Sequence, residues 1–168
     1  MKWREWLDRW SMNSLKLNLH FAELQFAPSD PDRDAAWDLY VELLTRITTQ
    51  PLPDDHGDEK TALESVFSLF KLTREILKKY GRHGGEFAKL AIIVLNQIVR
   101  PFTAKWHLLS AEFDNPERRK EFRAELAALQ PVLVRYTQML GEMAAVEDDL
   151  TQLAPPTAID TTPKVTTR

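Results

Sequence analysis

The feature that most constrains this chain is an apolar stripe that runs straight through a proline. Ala91, Leu95, Ile98, Val99, Phe102, Trp106 and Leu109 recur mostly at steps of three and four, with Pro101 in their midst. That spacing lines up one face of an α-helix. If Pro101 ended a helix, Phe102 and Trp106 would have no reason to stay in phase with Leu95 and Ile98. The pattern therefore predicts a single helix over residues 86–113 that is kinked at Pro101, although an internal proline costs about 3 kcal/mol. A second stripe, Phe122, Leu126, Leu129, Leu133, Tyr136, Leu140 and Met143, crosses Pro131 in the same way. Asn115 as cap and Pro116 at the first position open that helix. The two helices are expected to be long and antiparallel, with their prolines at levels differing by only ~5 Å at 1.5 Å rise per residue.

The rest of the chain reads as helix as well, and only five glycines interrupt it. Residues 2–11 place Trp3, Leu7 and Trp10 on one face, with Trp6 beside them. This cluster either staples a short helix to the core or offers Trp3, Trp6 and Trp10 to a partner. Residues 15–26, "LKLNLHFAELQF", alternate like a strand over 15–21 but lose that parity at Leu24 and Phe26. No partner strand is evident, so a helix buried on two sides is expected. Asp30 as cap and Pro31 at the first position begin the next helix, which is expected to bury Trp37, Tyr40, Val41, Leu44 and Ile47. Thr61 and Glu64 form a capping box for residues 62–80, with Leu63, Val66, Phe67, Phe70 and Leu77 inward and Gly81 closing the helix. The expected architecture is an all-α, single-domain bundle of about five helices over residues 1–150. A Thr/Pro-rich tail, 151–168, is expected to be disordered.

Composition narrows the function. The formal net charge is −3, so the chain lacks the overall positive balance of a general nucleic-acid binder. The basic run "PERRKEFR" contains Arg118, Arg119, Lys120 and Arg123. Its interleaved Glu117, Glu121 and Glu125 suggest a salt-bridged face, so nucleic-acid binding is not expected. No cysteine is present, which removes disulfides, thiolate metal sites and cysteine nucleophiles. The segment "FAKLAIIVLNQIV" is shorter than a membrane span, and charges interrupt the N-terminus where a signal peptide needs an apolar core. These points predict a cytoplasmic protein with no membrane span.

Catalytic patterns are missing. The loop Asp54-Asp55-His56-Gly57-Asp58-Glu59 lacks ordered calcium-loop spacing. His20 and Glu23 lack the further ligands of a di-iron bundle, and "GRHGGE" lacks the ending of a phosphate loop. Neither metal nor cofactor is expected. One polar stripe does stand out on the 86–113 helix. Lys89, Asn96, Arg100, Thr103 and His107 share an arc, suiting an anion held by the Arg100 fork with His107 as a titratable donor. Arg74, on the apolar face of its own helix, is placed to snorkel or to join Arg100. Lys105 points elsewhere. The leading expectation is a non-enzymatic helical protein-protein interaction module, an adaptor or regulatory subunit of a larger, bacterial-type system or a homo-oligomer. The alternative is a small anionic ligand sensor, or an enzyme, using Asn96, Arg100, Thr103, His107 and Arg74 near Pro101.

Overall fold

A computed structural model describes residues 1–153. It is all-α: α1 (Trp3–Arg9), α2 (Leu19–Glu23), α3 (Asp30–Leu44), α4 (Glu59–Tyr80), α5 (Gly85–Val94), α6 (Arg100–Leu109) and α7 (Pro116–Met143). No strand occurs among the described residues. The tail expected over 151–168 lies outside them from residue 154 on.

Both prolines sit inside continuous helix. α5 passes into α6 through a π turn, Leu95–Val99, so a single helical rod spans Gly85–Glu112. α7 runs uninterrupted through Pro131. Pro101 and Pro131 are both exposed, so the side of each helix that lacks a proline N–H is open to solvent. What marks Pro101 is a change of register. Phe87, Leu90, Ala91 and Val94 are buried before the π turn, and Val99, Phe102, Thr103 and Trp106 after it. Regular continuation from Val94 would turn Ile98, Pro101 and Lys105 inward. The extra residue of the π turn brings Val99, Phe102 and Trp106 in instead, while the Arg100 N–H reaches back to the Leu95 carbonyl. The wider turn also eases the clash between the proline ring and the preceding turn.

The N-terminal half differs from expectation in four places. Residues 15–26 form neither the predicted two-sided helix nor the alternative strand near 15–21. Only Leu19–Glu23 is helical, capped by Asn18, whose side chain accepts from the Phe21 N–H at 2.9 Å. Leu19 is 85% exposed. The chain then extends and ties to the N-terminus: the Trp3 N–H donates to Leu24 O and the Phe26 N–H to Met1 O, both at 2.9 Å. These long-range bonds outweigh local periodicity. In α3 the buried face is Asp32, Ala35, Ala36, Leu39, Tyr40 and Leu43, while Trp37 is 44% and Val41 39% exposed. Small alanines let α3 sit close against its neighbours, so the bulkiest side chain is not the anchor. Two caps also shift. Ser29 rather than Asp30 precedes α3. Asp58 rather than Thr61 caps α4, accepting from the Thr61 N–H at 2.7 Å and hydroxyl at 2.6 Å. Gly81 closes α4 at φ 58°, as the sequence predicts, and Asn115 caps α7.

Asp32 is the main polar junction. It is 2% exposed. Its Oδ2 accepts from the Ser29 N–H (2.9 Å) and hydroxyl (2.6 Å), and its Oδ1 from the Glu86 and Phe87 N–H groups (2.8 and 3.0 Å). One carboxylate therefore satisfies the first turns of α3 and α5 together, where helix dipoles favour negative charge. Between α6 and α7, Lys105 bridges Glu121 (2.9 Å) and Glu125, and Arg118 meets Glu121 at 2.8 Å. Hydrogen bonds from Lys105 and Arg118 hold the Glu121 carboxyl below the usual range.

Two outcomes follow. Asp32→Ala leaves four donors without their acceptor and is expected to lower stability by about 2–4 kcal/mol, with Asp32→Asn intermediate, as measured by urea unfolding. Because the folded-state pKa of Glu121 is lowered, its stabilising contribution is present above the ordinary carboxylate range and is lost as pH falls through the lowered value. Glu121→Gln is therefore expected to make the acid limb of a pH–stability profile shallower, with little change in its shape near neutrality.

Candidate functional site

The polar stripe predicted on the rod is only partly assembled. Arg100 Nε donates to Asn96 Oδ1 at 3.1 Å, and its guanidinium lies 4.8 Å from the Phe70 ring centroid on α4. His107 sits edge-on to Phe67 at 4.6 Å, with Nε2 3.4 Å from Glu64. Climbing α4 from Glu64 to Phe70 thus matches descending the rod from His107 to Arg100. Thr103 does not join them. It is 2% exposed and its hydroxyl donates back to Val99 O and Arg100 O, both at 3.2 Å. Lys89 leaves the group as well, pairing with Glu86 beside Trp3. Arg74 is exposed and forms no ion pair among the described residues. It lies one turn beyond Phe70 on α4.

The tryptophans weighed as a partner patch pack inward. Trp3 and Trp6 are 1% and 0% exposed, and the Trp6 ring stacks on Phe26 at 3.9 Å. Trp3 donates its indole N–H to Glu86 at 2.6 Å and Trp10 donates to Glu142 at 2.7 Å. This is the staple that the periodicity offered as the other reading. Only Trp10 keeps partial exposure.

The arginines of the basic run at the start of α7 are engaged internally. Arg118 pairs with Glu112 and Glu121, and Arg119 donates to Phe113 O. Arg123 holds Glu59 at 2.7 Å and the carbonyls of Pro53 and Gly57, tying down the α3–α4 loop. Sequence reasoning missed a second set of clips built from glutamines. Gln97, in the π turn, accepts from the Lys16 N–H at 2.8 Å and donates to its carbonyl at 2.9 Å. Gln130 reaches the carbonyls of Ile47 and Gln50. An amide carries donor and acceptor at once and so imitates a backbone partner. Its sequence signal is only a polar residue on a helix flank.

No stripe residue lines the cavities found, although one borders Gln97 and Ile98 next to Asn96. One of about 490 Å³ is lined by Asn115, Arg118 and Glu121, and another of about 220 Å³ by Trp10, Tyr40 and Gly141. Arg118 and Glu121 pair across the first of these two, and Glu142 beside the second pairs with Arg9. No metal-ligating cluster occurs among the described residues. The Tyr136 hydroxyl is fully buried without a partner among them, and burial pushes its pKa up, keeping it neutral.

What the rod does present is a row of exposed residues at every fourth position: Ile92, Asn96, Arg100, Ala104 and Leu108. In a regular α-helix such a row drifts ~40° per step. The additional residue of the π turn takes back roughly 100° of that drift, leaving all five on one side. Ile92 is 48% and Leu108 82% exposed, and Phe67 on the neighbouring edge of α4 is 45% exposed. The rod is nevertheless the chain's most apolar helix, long and apolar enough by composition to cross a membrane, although its opposite side forms the core. Continuity through Pro101 makes it longer than the apolar run in the sequence suggested.

No protein-family model, curated protein or solved structure matches the chain.

Arg100 and Arg74 contact no carboxylate, so their role in stability is small. Arg100→Ala and Arg74→Ala are each expected to change unfolding free energy by less than about 1 kcal/mol. Trp106→Ala, which removes a fully buried ring and its 2.9 Å bond to Glu125, is expected to cost about 3–5 kcal/mol. Chemical denaturation of the three variants checks the contrast.

Proposed function

We propose that this protein is a non-enzymatic helical interaction module, an adaptor or regulatory subunit that docks a protein partner on the outer face of the α5–α6 rod. The observation that supports the reading is the one-sided packing of that rod. A helix apolar nearly all round is normally covered all round. Here Ile92, Ala104 and Leu108 stay open on the side away from the core. The row is convex and its polar members do not converge on one point, which suits a surface contact better than a catalytic pocket. The rest of the fold supplies a stiff base. Asp32 fixes the start of α5, Gln97 clips the π turn to the N-terminal segment, and Trp106 roots α6 in the core.

The test combines light scattering after size exclusion with affinity capture, using wild type and an Ile92→Asp/Leu108→Asp double variant. Both positions are exposed, so each change should alter stability by no more than about 0.5 kcal/mol. The expected result is a species retained by wild type and lost from the variant. Identical retention by the two proteins, or a strictly monomeric wild type that retains nothing, would overturn the proposal.

A further inference from the structure

Resting on that docking face, we propose that its occupant is an acidic amphipathic helix of another protein. A carboxylate of that helix is set against Arg100, and its apolar side chains lie against Ile92 and Leu108. The row from Ile92 to Leu108 spans about 24 Å at 1.5 Å per residue, the length of four to five helical turns. Its composition is graded: apolar at both ends, cationic at the centre, with the small Ala104 leaving a notch between Arg100 and Leu108. A helix laid along the seam between α4 and the rod meets Phe67 on the same path.

Charge selects the sign of the partner. The sequence has no acidic residue between Glu86 and Glu112, although the whole chain is net negative. Arg100 contacts only the neutral Asn96 and the Phe70 ring. On α4, Arg74 and Lys78 form no ion pair among the described residues, and Lys71 has only a long 3.9 Å contact with Glu75. Elsewhere, Arg9, Lys105, Arg118 and Arg123 all hold carboxylates. Glu64 lies 3.4 Å from His107 at one end of the seam, and cations elsewhere, such as Lys16 and Lys120, are also without ion pairs among the described residues. But Arg100 is the one charge within the exposed row and has no carboxylate beside it.

Charge also argues against a second copy of this chain. Arg100 is the midpoint of the five-residue row. Pairing two rods over the whole row, parallel or antiparallel about a two-fold axis, places Arg100 against its own counterpart. Like charges at the centre of an interface are unfavourable. A carboxylate there is favourable and adds a charge-assisted hydrogen bond.

The experiment measures binding of labelled, side-chain-stapled helical peptides to the full chain by fluorescence polarisation. One peptide carries a leucine face flanked by glutamates, the second has lysines in place of the glutamates, and the third has the leucines replaced by glutamines. Phosphatidylglycerol vesicles and inorganic phosphate serve as the lipid and small-anion arms. The acidic amphipathic peptide is expected to bind at least about tenfold more tightly than either other peptide, and to weaken as salt rises. Arg100→Glu is expected to reverse the preference toward the lysine peptide, and Leu108→Asp to weaken both without reversing it. Equal binding of acidic and basic peptides, insensitivity to Arg100→Glu, preferential binding of vesicles or phosphate, or no peptide binding at roughly 1 mM would each overturn the proposal. So would a dimer dissolved by Leu108→Asp. A captured partner lost from the Ile92→Asp/Leu108→Asp variant, together with no preference for the acidic peptide, would sink the partner chemistry alone. Failure of capture would sink the docking face itself.

Discussion

The π turn at Leu95–Val99 is the constraint on which the rod and everything packed against it depend. Two demands meet there. Pro101 cannot donate to the previous turn, and its ring crowds the carbonyl four residues back. The core, meanwhile, needs Val99, Phe102 and Trp106 rather than Ile98, Pro101 and Lys105. One inserted residue answers both, because it widens the turn and rotates all that follows by about one residue. Lys105 then lies where it can bridge Glu121 and Glu125, and the Trp106 ring meets Phe122 edge-on at 5.1 Å. The same rotation lines up Ile92, Asn96, Arg100, Ala104 and Leu108 on the outside. Core packing and the exposed row are two consequences of a single local irregularity.

Around that rod the fold relies on a few acceptors that each serve more than one element. Asp32 joins the starts of α3 and α5. Glu86 takes the Trp3 indole, and Glu125 takes the Trp106 indole together with Lys105. Pairing an indole N–H with a carboxylate lets a large ring lie in the core while its polar tip finds a partner at the boundary. Gly141 belongs to the same economy of space: a Cβ there would lie 3.0 Å from the Tyr40 ring. Tyr40 is held in turn by the Leu150 N–H at 2.9 Å. Close approach of α3 and α7 therefore depends on a glycine of α7 set against a tyrosine of α3.

The parts of this design that were legible in the sequence are those governed by local rules. Asn115 with Pro116, Gly81 and the apolar stripe of α7 act within a few residues of themselves and appear as read, whereas the stripe of the rod is continuous only by way of the π turn. Ser29 and Asp58 were hidden because several capping residues stood side by side, and only tertiary contacts with α5 or the preceding loop select among them. Trp37 misled because periodicity weights a side chain by its size, whereas α3 packs through Ala35 and Ala36. Residues 15–26 could not be read locally at all, since their conformation is dictated by backbone bonds to Met1 and Trp3. The stripe near Pro101 was half legible. Asn96 and Arg100 meet as their spacing requires, but the π turn carries Thr103 inward to a different set of neighbours.

That last displacement bears on function. A regular helix would have kept Asn96, Arg100, Thr103 and His107 on a common arc, the arrangement an anion pocket needs. The register shift rotates Arg100, Thr103 and His107 together relative to the core, so that Thr103 turns inward and Arg100 stands between apolar residues along a convex face. Catalysis and tight small-molecule binding call for groups converging on a point shielded from water. A row spread over four to five turns offers contact area instead, with one charge at its centre to fix alignment. The basic run on α7 looks stronger in sequence, but its Arg118 and Arg123 are taken up by Glu59, Glu112 and Glu121. Arg100, inconspicuous in sequence, keeps its charge available because the rod carries no acid between Glu86 and Glu112 and its neighbours are Asn96 and the Phe70 ring. Recognition on such a surface is set less by how many cations a chain has than by which ones the fold leaves unanswered.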